Sequence, residues 1–110
     1  MIIDGQAAFR SLLMHHVSTH WPDAIITDFD PIVGGHLPDE FSGAGNDVIL
    51  LGSELGDRQG VDVVKRFRKN PNFPAVVYFG RKDEAGPVLD RGADGFFLRE
   101  GFSHDALIVR

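Results

Sequence analysis

The sequence predicts an α/β protein built on a parallel sheet, and three observations support that prediction. Asp47 to Leu51 carries an unbroken apolar run between polar and glycine positions, which is typical of a strand buried on both faces. Ala75 to Phe79 has the same character. Around these runs, apolar residues recur at helical spacing, so strands and helices alternate along the chain. This alternation predicts βαβ units with right-handed crossovers, forming a doubly wound sheet.

The composition is that of one ordinary globular domain. The chain has 110 residues, of which 43% are hydrophobic and 25% charged. It has no cysteine, which excludes disulfides, thiolate metal sites and cysteine nucleophiles. Its net charge of −5 argues against a domain that binds nucleic-acid phosphates. No apolar run approaches the roughly 20 residues that span a bilayer, so we expect a cytoplasmic domain with no membrane contact.

Two strands and one helix are predicted before the central strand at 47–51. We expect a strand at 2–4, a helix from residue 7 that ends before Pro22, and a strand at 24–29. The mixed pattern of that second strand, and the Asp30-Pro31 stop after it, favour a position at the edge of the sheet. The glycine-rich stretch at 31–46 predicts a loop with a short helix around 38–41.

After the central strand we expect a helix at 61–69, a strand at 75–79, a short helix within 83–91, a strand at 96–98 and a last helix from 104. Gly86 and Pro87 interrupt the short helix. The basic residues Lys65, Arg66, Arg68 and Lys69 could contact an acidic partner or nucleic acid, but late in a helix they simply complement its dipole. The last helix stops in mid-pattern at Arg110, so we expect residues 1–110 to be the N-terminal part of a longer protein.

Five strands alternating with helices fit a flavodoxin-like domain, a three-layer αβα sandwich with strand order 2-1-3-4-5. Four segments then carry a family likeness: Ile2-Ile3-Asp4 with Ala8-Phe9-Arg10, Asp47-Val48-Ile49-Leu50-Leu51, Pro74-Ala75-Val76-Val77, and Gly92-Ala93-Asp94-Gly95-Phe96-Phe97-Leu98-Arg99. In this order and spacing they resemble the successive signatures of response-regulator receiver domains, the CheY-like family. The likeness covers nearly the whole chain.

The resemblance implies a phosphorylation pocket, and this chain departs from it at nearly every position. In that family, two acids after the first strand and an aspartate after the third hold Mg²⁺, and the aspartate accepts a phosphoryl group. A Ser or Thr after the fourth strand and a Lys after the fifth bind the phosphate oxygens. The corresponding positions here are Asp4, Gly5, Gly52, Phe79 and Arg99. Only Asp4 matches, which implies a degenerate pseudo-receiver with no metal, no cofactor and no catalytic residue.

Neighbouring groups could substitute for the missing acceptor. Ser53 adjoins the empty position, and Asp4 with Glu54 could form a metal pair. Loop carboxylates such as Glu54 and Asp57 usually point into solvent, however, so we expect no acceptor here.

Two further pairs of residues have a functional and a structural interpretation. His16 and His20 are spaced i, i+4 on a helix, which can place two imidazoles on one metal, but no third ligand accompanies them. Packing of His16 and a helix-end position for His20 are the favoured interpretation. Asp28 and Asp30 could form a carboxylate pair for acid–base work, although acids at a sheet edge are usually solvated.

Two functions follow from these observations, and neither is enzymatic. The first is a protein-interaction module in signal transduction, with a homodimer, a downstream output domain in the same chain or a separate protein as partner. Its surface would be the face of the fourth helix, fifth strand and fifth helix, with Val88, Phe96, Phe97 and Phe102 as interface candidates.

The second function is a ligand-gated sensor. In this alternative, the vacated pocket near Asp4, Gly52 and Arg99 binds a small anion or a nucleotide, with the Arg99 guanidinium as the cationic fork.

Overall fold

Five parallel strands form one sheet in the order β2-β1-β3-β4-β5. The computed structural model describes residues 1–35, 37–38 and 41–100. Along the chain the elements are β1 (Ile2–Ile3), α1 (Ala7–His20), β2 (Asp28–Phe29), β3 (Val48–Gly52), α2 (Gly60–Phe67), β4 (Ala75–Gly80), a 3-10 turn (Lys82–Glu84), α3 (Ala85–Asp90) and β5 (Gly95–Leu98). The predicted α/β class, the parallel sheet and its strand order are confirmed.

Each face of the sheet carries its own hydrophobic core. Leu51 and Tyr78 belong to the larger core, which α2 and α3 cover. Ile2 and Phe79 belong to the smaller core, on the side of α1. The two faces alternate along each strand because successive side chains of a strand point in opposite directions. This alternation explains why the central strands are continuous apolar runs.

The second strand is shorter than predicted. Only Asp28–Phe29 pairs with β1, whereas we expected a strand over 24–29. Ile25 is 95% exposed, so its apolar side chain gains no burial that would favour pairing upstream. The predicted edge position is confirmed. The first strand likewise ends at Ile3, which leaves Asp4 in the connection to α1.

The last described helix is short, as predicted, but it is not interrupted. Gly86 and Pro87 lie in the first turn of α3, where a backbone N–H has no helical partner to lose. The helix α2 begins and ends slightly earlier than predicted, at Gly60 and Phe67.

Arg68, from the predicted basic cluster, fastens the end of α2 to the chain around β4 and β5. Its guanidinium donates to the carbonyl of Gly92 at 2.7 Å and to the carbonyl of Phe73 at 3.1 Å, and it also binds the carboxylate of Asp94. This member of the cluster therefore has a structural role.

The predicted last helix from residue 104 lies outside the described residues, as do Asp39 and Glu40 of the predicted short helix at 38–41. Within the part of the chain that is described, no helix is both long enough and apolar enough to cross a membrane.

Candidate functional site

The carboxyl ends of the parallel strands bring the five predicted pocket residues to one edge of the sheet. Asp4 and Gly5 follow β1, Gly52 ends β3, and Arg99 follows β5. In the sheet register, Gly52 lies beside Phe79 of β4. This edge is where open α/β sheets place their ligand sites.

A buried ion pair occupies the centre of this edge. The Arg99 guanidinium binds Asp4 with two hydrogen bonds, from Nη1 to Oδ2 at 2.6 Å and from Nη2 to Oδ1 at 2.9 Å. The side chain of Asp4 is fully buried and that of Arg99 is 15% exposed. The backbone N–H groups of Gln6 and Glu54 donate to the same carboxylate, at 2.8 and 3.3 Å. Each oxygen of Asp4 therefore already accepts two hydrogen bonds.

Residues at the start of α1 hold the guanidinium of Arg99 from its other sides. Gln6 Oε1 accepts a hydrogen bond from Nη2 at 2.6 Å. The centre of the guanidinium lies 3.9 Å from the ring centroid of Phe9, which is a cation–π contact. Neither partner is predicted from the sequence. The apolar stripe of α1 points to Phe9, but no sequence pattern identifies Gln6.

The two glycines of this edge leave no space for the side chains that a phosphorylation site needs. A Cβ atom at Gly52 would overlap Asp4 Oδ2 and lie 2.9 Å from Arg99 Nη1. A Cβ atom at Gly5 would lie 2.8 Å from Ile32 Cγ1 and 2.9 Å from the carbonyl oxygen of Glu54. The space that the sequence analysis expected to be vacant is therefore filled by the ion pair and its neighbours.

Phe79 adds an apolar wall to the site. Its side chain is fully buried, stacks on the ring of Phe97 at 5.5 Å between centroids, and meets the ring of Phe9 edge-on at 5.8 Å. No hydroxyl is available at this position to bind an oxyanion.

The site does not fit Mg²⁺. Asp4 is the one carboxylate among the five pocket residues, and a guanidinium cation already neutralises it. Gly5 and Gly52 supply no side-chain ligand. Among the described residues, no three carboxylate or imidazole groups lie close enough together to hold a metal ion. Glu54 and Asp57 are exposed, as expected for loop carboxylates.

Asp28 and Asp30 share a cation, which corrects the expectation that they are simply solvated. Arg10 Nε lies 3.1 Å from Asp28 Oδ2, and Arg10 Nη1 lies 3.3 Å from Asp30 Oδ2. Desolvation alone would raise the pKa of Asp30. The backbone N–H groups of Val33 and Ile32, together with Arg10, outweigh it and lower that pKa below its ordinary value. His16 is half-buried and His20 is exposed at the end of α1.

Solved structures of known proteins share this architecture. The receiver domain of a DNA-binding response regulator from Colwellia psychrerythraea 34H superimposes with a TM-score of 0.77 at 20% identity, over 96% of this chain and 88% of that one. The receiver domain of a putative response regulator, NarL, from Mycobacterium tuberculosis gives a TM-score of 0.68 at 19% identity, over 98% and 90%. This chain has the receiver fold. At these identities the likeness concerns the fold alone. No protein-family model and no curated protein matches the sequence.

A third similar structure is that of a phosphorylated response regulator. A response regulator from Burkholderia pseudomallei, solved with a phosphorylated aspartic acid and a calcium ion, superimposes with a TM-score of 0.68 at 16% identity, over 98% of this chain and 62% of that one. The sequence predicts Gly52 at the acceptor position of this fold.

The predicted interface residues are distributed differently from the expectation. Val88 is fully buried in the core between α2 and α3, so it cannot line a surface. Phe96 and Phe97 are half-buried on opposite faces of β5, and Phe102 lies outside the described residues. The exposed apolar side chains of this face are Leu89 at 45% and Leu98 at 49%. Neither residue is predicted from the sequence. The helical phase of so short a helix does not identify Leu89, and the pattern of a four-residue strand does not show that Leu98 is exposed.

Proposed function

We propose that this receiver-fold domain is a pseudo-receiver, a signalling module whose state does not depend on phosphorylation and whose surface binds a protein partner. The observation that supports it best is the buried ion pair of Asp4 and Arg99 beside Gly52. Phosphoryl acceptance requires a nucleophilic oxygen and unoccupied donors for the new dianion. Gly52 supplies no side-chain oxygen, and the carboxylate of Asp4 already binds the guanidinium of Arg99.

The ion pair also favours a single conformation of this edge. Separating Asp4 from Arg99 would leave a buried charge uncompensated, which costs about 3–5 kcal/mol in proteins. Because Asp4 follows β1 and Arg99 follows β5, the pair fixes the ends of two strands relative to each other. A domain held in one conformation suits constitutive docking better than switching.

The proposed docking surface is the exposed side of α3 and β5, which presents Leu89 and Leu98. A second copy, an output domain of the same protein or a separate protein could cover it. The receiver fold of the Burkholderia pseudomallei regulator accounts for only part of that protein, since this chain covers 62% of it. That supports an output domain as one kind of partner.

Chemical phosphorylation tests the proposal. The domain is incubated with acetyl phosphate and Mg²⁺ beside a receiver domain that retains its aspartate, and both are followed by intact mass. We expect a phosphoryl adduct on the control and none on this domain. A stoichiometric adduct here would overturn the proposal, and peptide mapping would then show whether Ser53 is the acceptor.

The same contacts weigh against the anion or nucleotide sensor. The guanidinium of Arg99 already has a carboxylate, an amide oxygen and an aromatic ring as partners. A ligand at 100 times its dissociation constant adds about 2.7 kcal/mol to the free energy of unfolding. We therefore expect no rise in Tm with phosphate or nucleotides, and a clear rise would favour the sensor.

A further inference from the structure

A second buried polar contact involves Tyr78 of the larger hydrophobic core. The Tyr78 hydroxyl donates a hydrogen bond to Glu84 Oε2 at 2.7 Å. Tyr78 is fully buried and Glu84 is 8% exposed. The other carboxylate oxygen of Glu84 accepts the backbone N–H of Arg81 at 2.8 Å. Both oxygens of this carboxylate therefore have a donor, as a buried acid requires.

Two glycines shape the slot that holds the tyrosine. A Cβ atom at Gly60, the first residue of α2, would overlap the hydroxyl and the ring of Tyr78. A Cβ atom at Gly80, the last residue of β4, would overlap the ring and lie 2.5 Å from Glu84 Oε1. The backbone thus approaches the ring and the carboxylate closely from two elements. A side chain larger than hydrogen at either glycine would therefore displace the tyrosine or the carboxylate.

Glu84 lies where the chain turns from β4 into α3. It is the last residue of the 3-10 turn Lys82–Glu84, and α3 follows it directly. Because α3 has only six residues, it is too short to be stable by itself, so its position depends on the packing of Val88 in the core and on contacts at its ends. The contact of Arg81 with Asp83 in the same turn is solvent-exposed and contributes little to stability.

We propose that the hydrogen bond from Tyr78 to Glu84 is a latch, which holds the connection between β4 and α3, and with it α3, in one position against α2. The latch depends on the hydroxyl of Tyr78 and on the carboxylate of Glu84. It involves neither Asp4 nor the side chain of Arg99, and it requires nothing of the phosphorylation chemistry. The phosphorylation experiment and the latch experiment can therefore fail independently.

Amide hydrogen exchange on the purified domain tests the latch. The variant Tyr78→Phe removes the hydroxyl and keeps the ring, and Glu84→Gln keeps the shape of the side chain and loses its charge. Asp83→Asn, in the same turn but exposed, is the matched control. A hydrogen bond to a charged group contributes substantially to the stability of the segment that it holds. We therefore expect amides at 81–90 to exchange at least about tenfold faster in Tyr78→Phe.

In Glu84→Gln we expect a smaller increase at 81–90, since the amide oxygen can still accept from Tyr78 or from the backbone of Arg81. Amides of α1 should exchange at the wild-type rate in all three variants, and Asp83→Asn should match wild type throughout. Unchanged exchange at 81–90 in Tyr78→Phe would overturn the latch. An equal acceleration in α1 and at 81–90 would overturn it too, because it would report a general loss of stability and no local opening.

Discussion

At the scale of single residues, Gly52 has a steric role as well as a chemical one. Its missing side chain makes room for the carboxylate of Asp4 and the guanidinium of Arg99. We expect Gly52→Ala to lower the free energy of unfolding by about 1–3 kcal/mol, the usual cost of overpacking, as measured by urea denaturation.

The control for that variant is Gly86→Ala. Apart from its chain neighbours, a Cβ atom at Gly86 meets nothing within 4 Å, and the residue lies in the first turn of α3. Because the helical gain of an alanine is opposed by the clash of its Cβ atom with the following Pro87, we expect a smaller change than in Gly52→Ala. A Gly52→Ala variant as stable as wild type would show that the ion pair does not fill this edge.

The coupling between Asp4 and Arg99 is measurable by a double-mutant cycle. Asp4→Asn alone leaves a nearly buried guanidinium without its counter-charge, so we expect a loss of about 3–5 kcal/mol. Arg99→Met in addition removes the orphaned cation, so the double variant should lose less than the sum of the two single losses. The exposed pair Arg81 and Asp83 is the control, with an expected coupling below about 1 kcal/mol. Additive losses at Asp4 and Arg99 would contradict the pairing.

At the scale of elements, the sequence predicts those strands whose apolar pattern follows directly from their burial. The strand Val48–Gly52 is a continuous apolar run because helices cover both faces of the sheet around it. The predicted second strand is longer than the observed one, because the alternation over 24–29 resembles a strand although Ile25 is exposed. Local pattern cannot tell which apolar residue finds a neighbour.

In the candidate site too, the local pattern predicts the positions of residues but not their tertiary contacts. The sequence supplied Asp4, Gly52 and Arg99, because each follows or ends a strand whose position is predictable. It could not show that Arg99 turns inward onto Asp4, since that contact joins residues 95 positions apart. It also did not identify the contact of Tyr78 with Glu84, because that contact depends on how the chain turns after β4.

Arg10 compensates for the shortness of the edge strand β2. Its side chain contacts Asp28 and Asp30, and it donates to the carbonyl oxygen of Asp4 at 2.8 Å. Hydrogen bonds to charged groups contribute about 1.5–3 kcal/mol each. In Arg10→Ala we expect faster exchange of the Asp4 amide, which bonds to the carbonyl of Phe29 at 3.1 Å. The exposed Arg91→Ala serves as control, and protection that survives in Arg10→Ala would contradict this role.

At the scale of the whole molecule, the surface of α3 and β5 predicts self-association if a second copy is the partner. We expect a concentration-dependent dimer by size exclusion with light scattering, and Leu98→Glu should abolish it, because a charge would be buried in the contact. Leu12→Glu on α1, 36% exposed in wild type, is the control and should still dimerise. If the wild-type domain is strictly monomeric, a second copy is not the partner, and the surface would bind a different protein or an output domain.

Alkaline titration links the latch to the stability of the entire fold. Burial, and next the hydrogen bond to Glu84, raise the pKa of Tyr78 far above its ordinary value. The pKa of Tyr78 is higher in the folded state than in the unfolded state. Its contribution to the free energy of unfolding is therefore complete below about pH 10 and is lost as the pH rises above that value. Tyr78 is the sole tyrosine of the chain, so phenolate absorbance reports on it alone. We expect that absorbance to appear only as the circular dichroism of the fold is lost, at a pH well above 10. A reversible titration near pH 10 with the fold intact would show that the hydroxyl is open to solvent and that no latch is present.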